Sequence, residues 1–267
     1  MGPERATTPA ECHPSGSRSG QNGRRGSARR LVGTDMADHS AGLQPPCSNT
    51  GVERVVSRPD WLDLSIPAED LSAAYRLWSS LSLGPSSMVA GGLHFTGALL
   101  SDDRATRLAY GGRGDALGMG SLRVTGSAWA AMTDPEGSLR RLLSLASSRP
   151  SRLDLASDFT GAVPAVRELA DAFQRHEART RVRSGRLMRD LATGHETMYL
   201  GSEQSPKLLR VYDMRGPVRV EYQARNEAAV VLGMLARVDG CHAAWRAMVG
   251  SYVDFPAVRA WGALMSA

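Results

Sequence analysis

Three stretches in the second half of the chain alternate apolar residues with polar and ionisable ones. Successive side chains of a β-strand point to opposite faces, so each stretch predicts a strand with one apolar face and one charged face. These strands are predicted at 151–159, 208–213 and 218–223. If they are neighbours, one face of the sheet gathers seven polar side chains: Arg152, Asp154, Asp158, Arg210, Tyr212, Arg219 and Glu221.

These residue types predict metal-assisted phosphoryl transfer. The carboxylates of Asp154, Asp158 and Glu221 are oxygen ligands of the kind that Mg²⁺ or Mn²⁺ prefers. Arginines among them would neutralise a phosphate, and a tyrosine would supply the nucleophile, which suits a reaction that depends on positioning and charge stabilisation. The alternative interpretation is a solvated outer face whose ion pairs are worth about 0–1 kcal/mol each.

Composition and charge limit the classes of function. The chain has 267 residues, 42% of them hydrophobic, and a formal net charge of +5 at pH 7. The charge suits a polyanionic partner, although Lys207 is the only lysine and a GC-rich coding bias also favours arginine. No apolar run of about eighteen residues and no secretory h-region occur, so no membrane span is expected. The chain has three cysteines, Cys12, Cys47 and Cys241, and their spacing is not that of metal ligands. Scattered cysteines do not predict a disulfide framework, so a reducing cytoplasm is expected.

The chain divides into a tail and a folded region. Residues 1–56 are rich in Gly, Ser, Pro and Arg, which predicts disorder because such a segment buries too little apolar surface. The arginine pairs at 24–25 and 29–30 either contact phosphates or belong to a solvated tail. The folded region, 57–267, is predicted to have an N-terminal half at 57–150 and a second half at 151–267 that holds the charged strands.

The order of predicted elements recurs in the two halves. The first half predicts a strand at 61–66, a helix at 69–81, short strands near 93–99, 107–110 and 121–125, and a helix at 135–147. The second half predicts, besides its charged strands, a helix at 164–178, a strand at 197–201, a helix at 226–237 and a helical tail. This pattern is typical of an α+β fold with a mostly antiparallel sheet, packed helices and two similar halves.

Four segments in order resemble the motifs of a known family. The chain is similar, over about residues 58–255, to the rolling-circle replication initiation factors of small plasmids and filamentous phages, which are related to the relaxases of integrative elements. The segments that carry the resemblance are Arg152–Gly161, Thr197–Ser202, Leu209–Asp213 and Arg219–Glu221, and Asp60–Asp63 and Leu122–Gly126 also match in order.

The resemblance implies a sequence-specific, metal-dependent DNA nickase. Tyr212 falls on the tyrosine of the family's Arg-x-Tyr-Asp-Lys motif, so it is the implied nucleophile. Asp154 and Asp158 fall on the two aspartates of Arg-x-Asp-x-Ala-x-Asp, and Glu221 falls on the glutamate of Arg-x-Glu, with Mg²⁺ or Mn²⁺ as the implied cofactor. Cleavage would leave a 5′-phosphotyrosine and a free 3′-OH, and rejoining would reverse the step. Origin DNA, a host helicase and polymerase, and a second copy of the chain are the implied partners.

Departures from the family pattern leave other interpretations open. Met214 stands where the family has a lysine after Tyr-Asp, with Arg215 and Lys207 as candidate replacements. One alternative is therefore a catalytically weakened relative that binds an origin or promoter without cutting. A third interpretation is a single-strand nucleic-acid module in the Trp-containing first half. Tyr199 is the alternative nucleophile, although its place on a predicted strand favours a packing role.

Overall fold

The computed structural model describes residues 52–81 and 86–267. Its strands are β1 (Val52–Pro67), β2 (Ser86–Ala90), β3 (Phe95–Ser101), β4 (Thr106–Gly112), β5 (Met119–Val124), β6 (Arg149–Gly161), β7 (Arg179–Thr180), β8 (Gly185–Arg189), β9 (Glu196–Leu200), β10 (Lys207–Asp213), β11 (Val218–Arg225) and β12 (Val253–Asp254). Its helices are α1 (Leu71–Ser80), α2 (Gly126–Ala131), α3 (Pro135–Leu143), α4 (Val166–Gln174), α5 (Glu227–Asp239), α6 (Cys241–Tyr252) and α7 (Arg259–Ser266).

Ten of these strands form one antiparallel sheet. Their order is β2-β3-β4-β5-β1-β6-β11-β10-β9-β8, and β7 and β12 form a separate pair. Strands and helices together make an α+β fold, as the sequence predicts. Among the described residues, no helix combines the length and apolar character needed to cross a bilayer.

The sheet consists of two similar halves that meet at β1 and β6. The first half runs β2-β3-β4-β5-β1 and the second runs β8-β9-β10-β11-β6, so the same order appears twice. Leu62 pairs with Leu153 at the centre, Trp61 pairs with Asp154, and Asp63 pairs with Arg152. Both central strands also carry the sequence Leu-Asp-Leu, at 62–64 in β1 and at 153–155 in β6. The predicted internal similarity is confirmed by this topology.

The apolar core lies on one face of the sheet. Leu153 and Leu155 of β6 and Val220 of β11 are fully buried in it. Trp245 of α6 packs against the same strands and donates its indole N–H to the carbonyl of Val220 at 3.0 Å. Because side chains alternate along a strand, the intervening polar residues of β6 and β11 project from the opposite face. We call that opposite side the polar face.

The element boundaries differ from the predicted ones in several places. Strand β1 begins at Val52, so the predicted tail boundary at residues 56 and 57 falls inside a strand, and the predicted boundary at 150 and 151 falls inside β6. The predicted disorder of residues 1–51 lies outside the described residues. Strand β8 escaped prediction because Gly-Arg-Leu-Met-Arg has little apolar alternation, as expected at the exposed edge of a sheet.

Candidate active site

Neighbouring strands bring the predicted polar residues together. On β10 and β11, Tyr212 pairs with Arg219 and Arg210 pairs with Glu221. Arg219 pairs in turn with Asp158 of β6. The alternation argument for these three strands is therefore confirmed, because their charged residues share the polar face.

Tyr212 contacts a carboxylate that is almost completely buried. Its hydroxyl donates to Oε2 of Glu221 at 3.3 Å. The other oxygen of Glu221 accepts a hydrogen bond and ion pair from Arg210. Glu221 is only 1% exposed. Its two oxygens are bound by Tyr212 and Arg210, side chains that are also able to face a phosphate.

Arg219 is fixed on the other side of Tyr212. Its guanidinium binds Asp158 through two nitrogens, at 2.5 and 2.8 Å. A third contact, at 3.3 Å, joins it to Asp60. Arg58 adds a further cation 3.5 Å from Asp158. Bidentate pairing of this kind orients a guanidinium, so Arg219 is held rigidly beside the tyrosine.

Asp154 lies at the other end of the cluster. It is fully buried and accepts hydrogen bonds from Arg152, the shortest at 2.5 Å. Arg152 also binds the side-chain oxygen of Gln223 at 3.1 Å. Arg210 lies 4.0 Å from Asp154 while pairing with Glu221. One guanidinium therefore bridges the two buried carboxylates.

The two buried carboxylates hold their protons more tightly than usual. Burial, the largest cause, raises the pKa of Glu221 to about 7, and the negative charges of Asp60 and Asp154 add to the rise while Arg210 opposes it. Burial also raises the pKa of Asp154 to about 6, against the lowering effects of Arg152 and Arg210. Charged carboxylates in this position are destabilised, which favours a proton or a cation there.

The tyrosine is a neutral phenol at physiological pH. Burial raises the pKa of Tyr212 to about 12, the charge of Glu221 adds to the rise, and Arg219 acts in the opposite direction. Burial alone would lower the pKa of Arg219, but its bonds to Asp158 and the neighbouring Tyr212 hold it above the usual range. The phenol needs a proton acceptor before it can act as a nucleophile, and Glu221 is in contact with it.

The predicted three-carboxylate metal site is not assembled. Within the described ranges, no three His, Cys, Asp or Glu side chains lie together in a way that could hold a metal ion. Asp158 is instead held by Arg219. Asp154 and Glu221 both contact Arg210, and the negative charge of Asp154 helps to raise the pKa of Glu221. These two supply oxygen donors of the kind that a divalent cation takes, and Arg152 and Arg210 would have to move aside to admit it.

Asp60 is the site residue that the alternation argument missed. The register between β1 and β6 shifts between Pro59 and Trp61, so Asp60 occupies an irregularity in the strand. Such bulges re-aim a side chain and break the two-residue period. Asp60 contacts Arg219 and its charge acts on Asp154 and Glu221. The one available signal was its place in the Asp60–Asp63 segment.

Neither candidate replacement for the missing lysine reaches the cluster. Met214 and Arg215 are exposed in the turn between β10 and β11, where Arg215 has φ 57°. Lys207 begins β10, five residues before Tyr212 and, by alternation, on the core side of the sheet. Arg210 and Arg219 are the cations that lie nearest Tyr212.

The first half of the sheet lacks the tyrosine and the groups that contact it, although Asp63 corresponds there to Asp154. Following the strand pairing, the row Arg210–Glu221–Ala156 corresponds to Ala109–Ser121–Ser65. Along the same strands, Gly111 corresponds to Tyr212. The fold thus forms two similar halves, and the tyrosine, arginine and carboxylate cluster is present in only one of them.

The fold and this cluster define an α+β protein with a doubled antiparallel sheet and a buried polar site on one half. The same fold occurs in a solved structure, "Structure of Rolling Circle Replication Initiator Protein from Geobacillus stearothermophilus", with a TM-score of 0.64 and 18% identity over 76% of this chain and 87% of that chain. A Clostridium acetobutylicum aspartate kinase aligns with a TM-score of only 0.18 and 9% identity, over 74% of this chain and 35% of that one, and carries no argument. No protein-family model matches the chain, and no curated protein matches it significantly.

Proposed function

We propose that this protein initiates rolling-circle replication by nicking and rejoining one DNA strand, with Tyr212 as the nucleophile. The observation that carries the proposal is the contact between the Tyr212 hydroxyl and Glu221, flanked by Arg210 and Arg219. The fold shared with the Geobacillus initiator supports the same conclusion. The proposal applies equally to replication of a plasmid, a phage or an integrative element, because all three use this chemistry.

The residues of the cluster divide the reaction between them. Oη of Tyr212 attacks the phosphorus while its proton passes to Oε2 of Glu221, 3.3 Å away. The bond from phosphorus to the 3′ oxygen breaks, the 5′ phosphate stays on the tyrosine, and the 3′ oxygen takes a proton from solvent. Arg210 and Arg219 stabilise the charge on the phosphate oxygens during attack, a role that fixed guanidiniums perform well. Rejoining is the same step in reverse.

A divalent cation fits this proposal at Asp154 and Glu221. The two carboxylates would hold Mg²⁺ or Mn²⁺, and the bound ion would supply positive charge that polarises the phosphate. A further carboxylate, Asp60, acts on this pair, because its negative charge raises the pKa of both residues. Asp158 keeps Arg219 in place and is a positioning residue.

Cation binding at this pair is expected to stabilise the fold. Saturating Mg²⁺ should raise the melting temperature of the wild type by roughly 5–10 °C if it reaches about 100 times the dissociation constant. The rise should be larger at pH 8 than at pH 5.5, because protons compete for carboxylates whose pKa values are about 6 and 7. Differential scanning fluorimetry measures both effects.

Two matched variants identify the ligands of that cation. Asp154→Asn should remove the Mg²⁺-dependent rise, whereas Asp158→Asn should keep it, because Asp158 is engaged by Arg219. The reverse result would return Asp158 to the metal site and contradict the assignment made from the contacts.

The test of the function is nicking of a supercoiled plasmid that carries the cognate origin. With Mg²⁺, the protein should convert it to the nicked form and remain covalently attached to the 5′ end. Origin binding without nicking would instead support a non-cutting DNA-binding relative, an outcome consistent with Met214 in place of the family's lysine. In the replication role, origin DNA, a host helicase and a polymerase would be its partners, and a second copy of the chain would form a homodimer.

A further inference from the structure

A second tyrosine lies beside Tyr212 on the polar face. On β9 and β10, Tyr199 pairs with Arg210 and Thr197 pairs with Tyr212. Tyr199 and Tyr212 are therefore diagonal neighbours, a relation that places side chains roughly 7–8 Å apart in an antiparallel pair. Tyr199 is half-buried and lies outside the apolar core, so part of its ring is open to solvent.

An arginine from the edge strand lies over the ring of Tyr199. The guanidinium carbon of Arg186 is 4.4 Å from the ring centroid, a cation–π arrangement. Arg186 also pairs with Glu203, and both residues are exposed. Across the sheet these residues extend the row of the active site, since Arg186 pairs with Tyr199 and Tyr199 with Arg210.

The internal repeat shows that the fold does not require these residue types. The row Arg186–Tyr199–Arg210–Glu221 corresponds in the first half to Val89–Ala98–Ala109–Ser121. Small and apolar side chains occupy the same sheet positions there. At these four sheet positions, an aromatic ring with a cation over it therefore occurs only in the half that holds the active site, and sheet formation alone does not explain it.

We propose that Tyr199 and Arg186 bind a nucleotide of single-stranded DNA next to the phosphate attacked by Tyr212. The base stacks on the ring of Tyr199 in place of the Arg186 guanidinium, which turns from the ring and Glu203 to a backbone phosphate. Bases of a duplex are stacked on one another, so only an unpaired strand offers a base face to this ring. The inference rests on the proposed function, because it assumes that the substrate strand lies across β10 and β9.

Binding of a labelled single strand to the full-length protein tests the proposal. The probe is a fluorescein-labelled oligothymidylate followed by anisotropy, with its duplex as the comparison. Tyr199→Ala should weaken binding of the single strand about 5- to 150-fold, the range of one lost base stack. Tyr199→Phe should bind within about twofold of the wild type, because the phenyl ring still stacks. Affinity for the duplex should be unchanged in both variants.

Two further variants separate stacking, charge and fold integrity. Arg186→Gln should reduce the slope of log affinity against log salt by about 0.7, the value for one phosphate contact on a single strand. Tyr75→Ala is the matched control, since it removes an exposed tyrosine from α1. Arg186→Gln and Tyr75→Ala should keep the wild-type melting temperature within about 2 °C, as expected for exposed positions.

The outcomes distinguish this proposal from the proposed function. Equal single-strand affinity in Tyr199→Ala and the wild type would overturn the stacking site while leaving nicking by Tyr212 intact. Loss of nicking in Tyr199→Phe with normal binding would make Tyr199 the nucleophile, and would overturn both. Loss of nicking in Tyr212→Phe together with weakened single-strand binding in Tyr199→Ala supports both.

Discussion

Tyr212→Phe is expected to lower the rate of plasmid nicking by a factor on the order of 10³ or more, with origin binding unchanged. The substitution removes one oxygen, the atom that would attack phosphorus and that now contacts Glu221 at 3.3 Å. The ring keeps its place on β10, so binding surfaces around it are preserved. Gel analysis of supercoiled and nicked plasmid measures the rate, and anisotropy with the origin duplex measures binding.

The control for this variant is Tyr199→Phe, which removes the same atom from the neighbouring strand. It should nick at a rate within about threefold of the wild type, because its ring is retained and its hydroxyl has no role in the proposed step. Peptide mapping of the covalent adduct should locate the DNA on Tyr212. Nicking at the wild-type rate by Tyr212→Phe would refute the assignment of the nucleophile.

Alternation in the sequence predicts faces well but cannot predict register. The polar face of β6 and β11 followed directly from apolar residues at every second position, such as Leu153 and Leu155. Which residues lie opposite each other depends on how strands are aligned, and this alignment decides the partners of each carboxylate. Asp158 lies opposite Arg219 and is neutralised by it. For that reason Asp158 binds Arg219, whereas Asp154 and Glu221 share Arg210.

Two further parts of the site depend on irregular or edge structure. Asp60 reaches Arg219 from a position where the register of β1 shifts, and no two-residue period predicts such a position. Arg186 comes from β8, an exposed edge strand with little apolar alternation in its sequence. Both residues reach the site through strand pairing in the folded sheet. Because the alternation of residues in the sequence does not show that pairing, only the structure places them at the site.

The buried charges of this half of the sheet lower the stability of the fold. Glu221, Asp154 and Arg219 are each at most 6% exposed. Removing ions from water costs several kcal/mol each, and ion pairing in the interior does not always offset that cost. Ser121 and Ala109 occupy two of the corresponding positions in the first half without such a cost. Sheet formation therefore does not require charged residues at the positions of Arg210 and Glu221.

Glu221→Gln is expected to lower the rate of nicking about 10²- to 10⁴-fold, the usual contribution of a positioned general base. A glutamine cannot take the proton of Tyr212, whose pKa is raised to about 12. In the wild type the rate should fall as pH decreases below about 7, because a protonated Glu221 neither accepts the proton of Tyr212 nor holds the cation. The residual rate of the variant should lack this acid limb, and a pH–rate profile measures the difference.

Stability should respond to the same substitution with a defined sign. The ordinary pKa of a glutamate is 4.5, and that of Glu221 in the folded protein is about 7. The folded state therefore binds this proton more tightly than the unfolded state does. The free energy of unfolding of the wild type should therefore decrease as pH rises from about 4.5 to about 7. Glu221→Gln should reduce this slope, which urea unfolding at a series of pH values detects. Asp154→Asn is the matched control, and its residual nicking should keep an acid limb at a lower pH, because the charge of Asp154 no longer raises the pKa of Glu221. If the limb persists unchanged in Glu221→Gln, then Glu221 is not the proton acceptor, and Asp154, whose pKa is about 6, becomes the candidate.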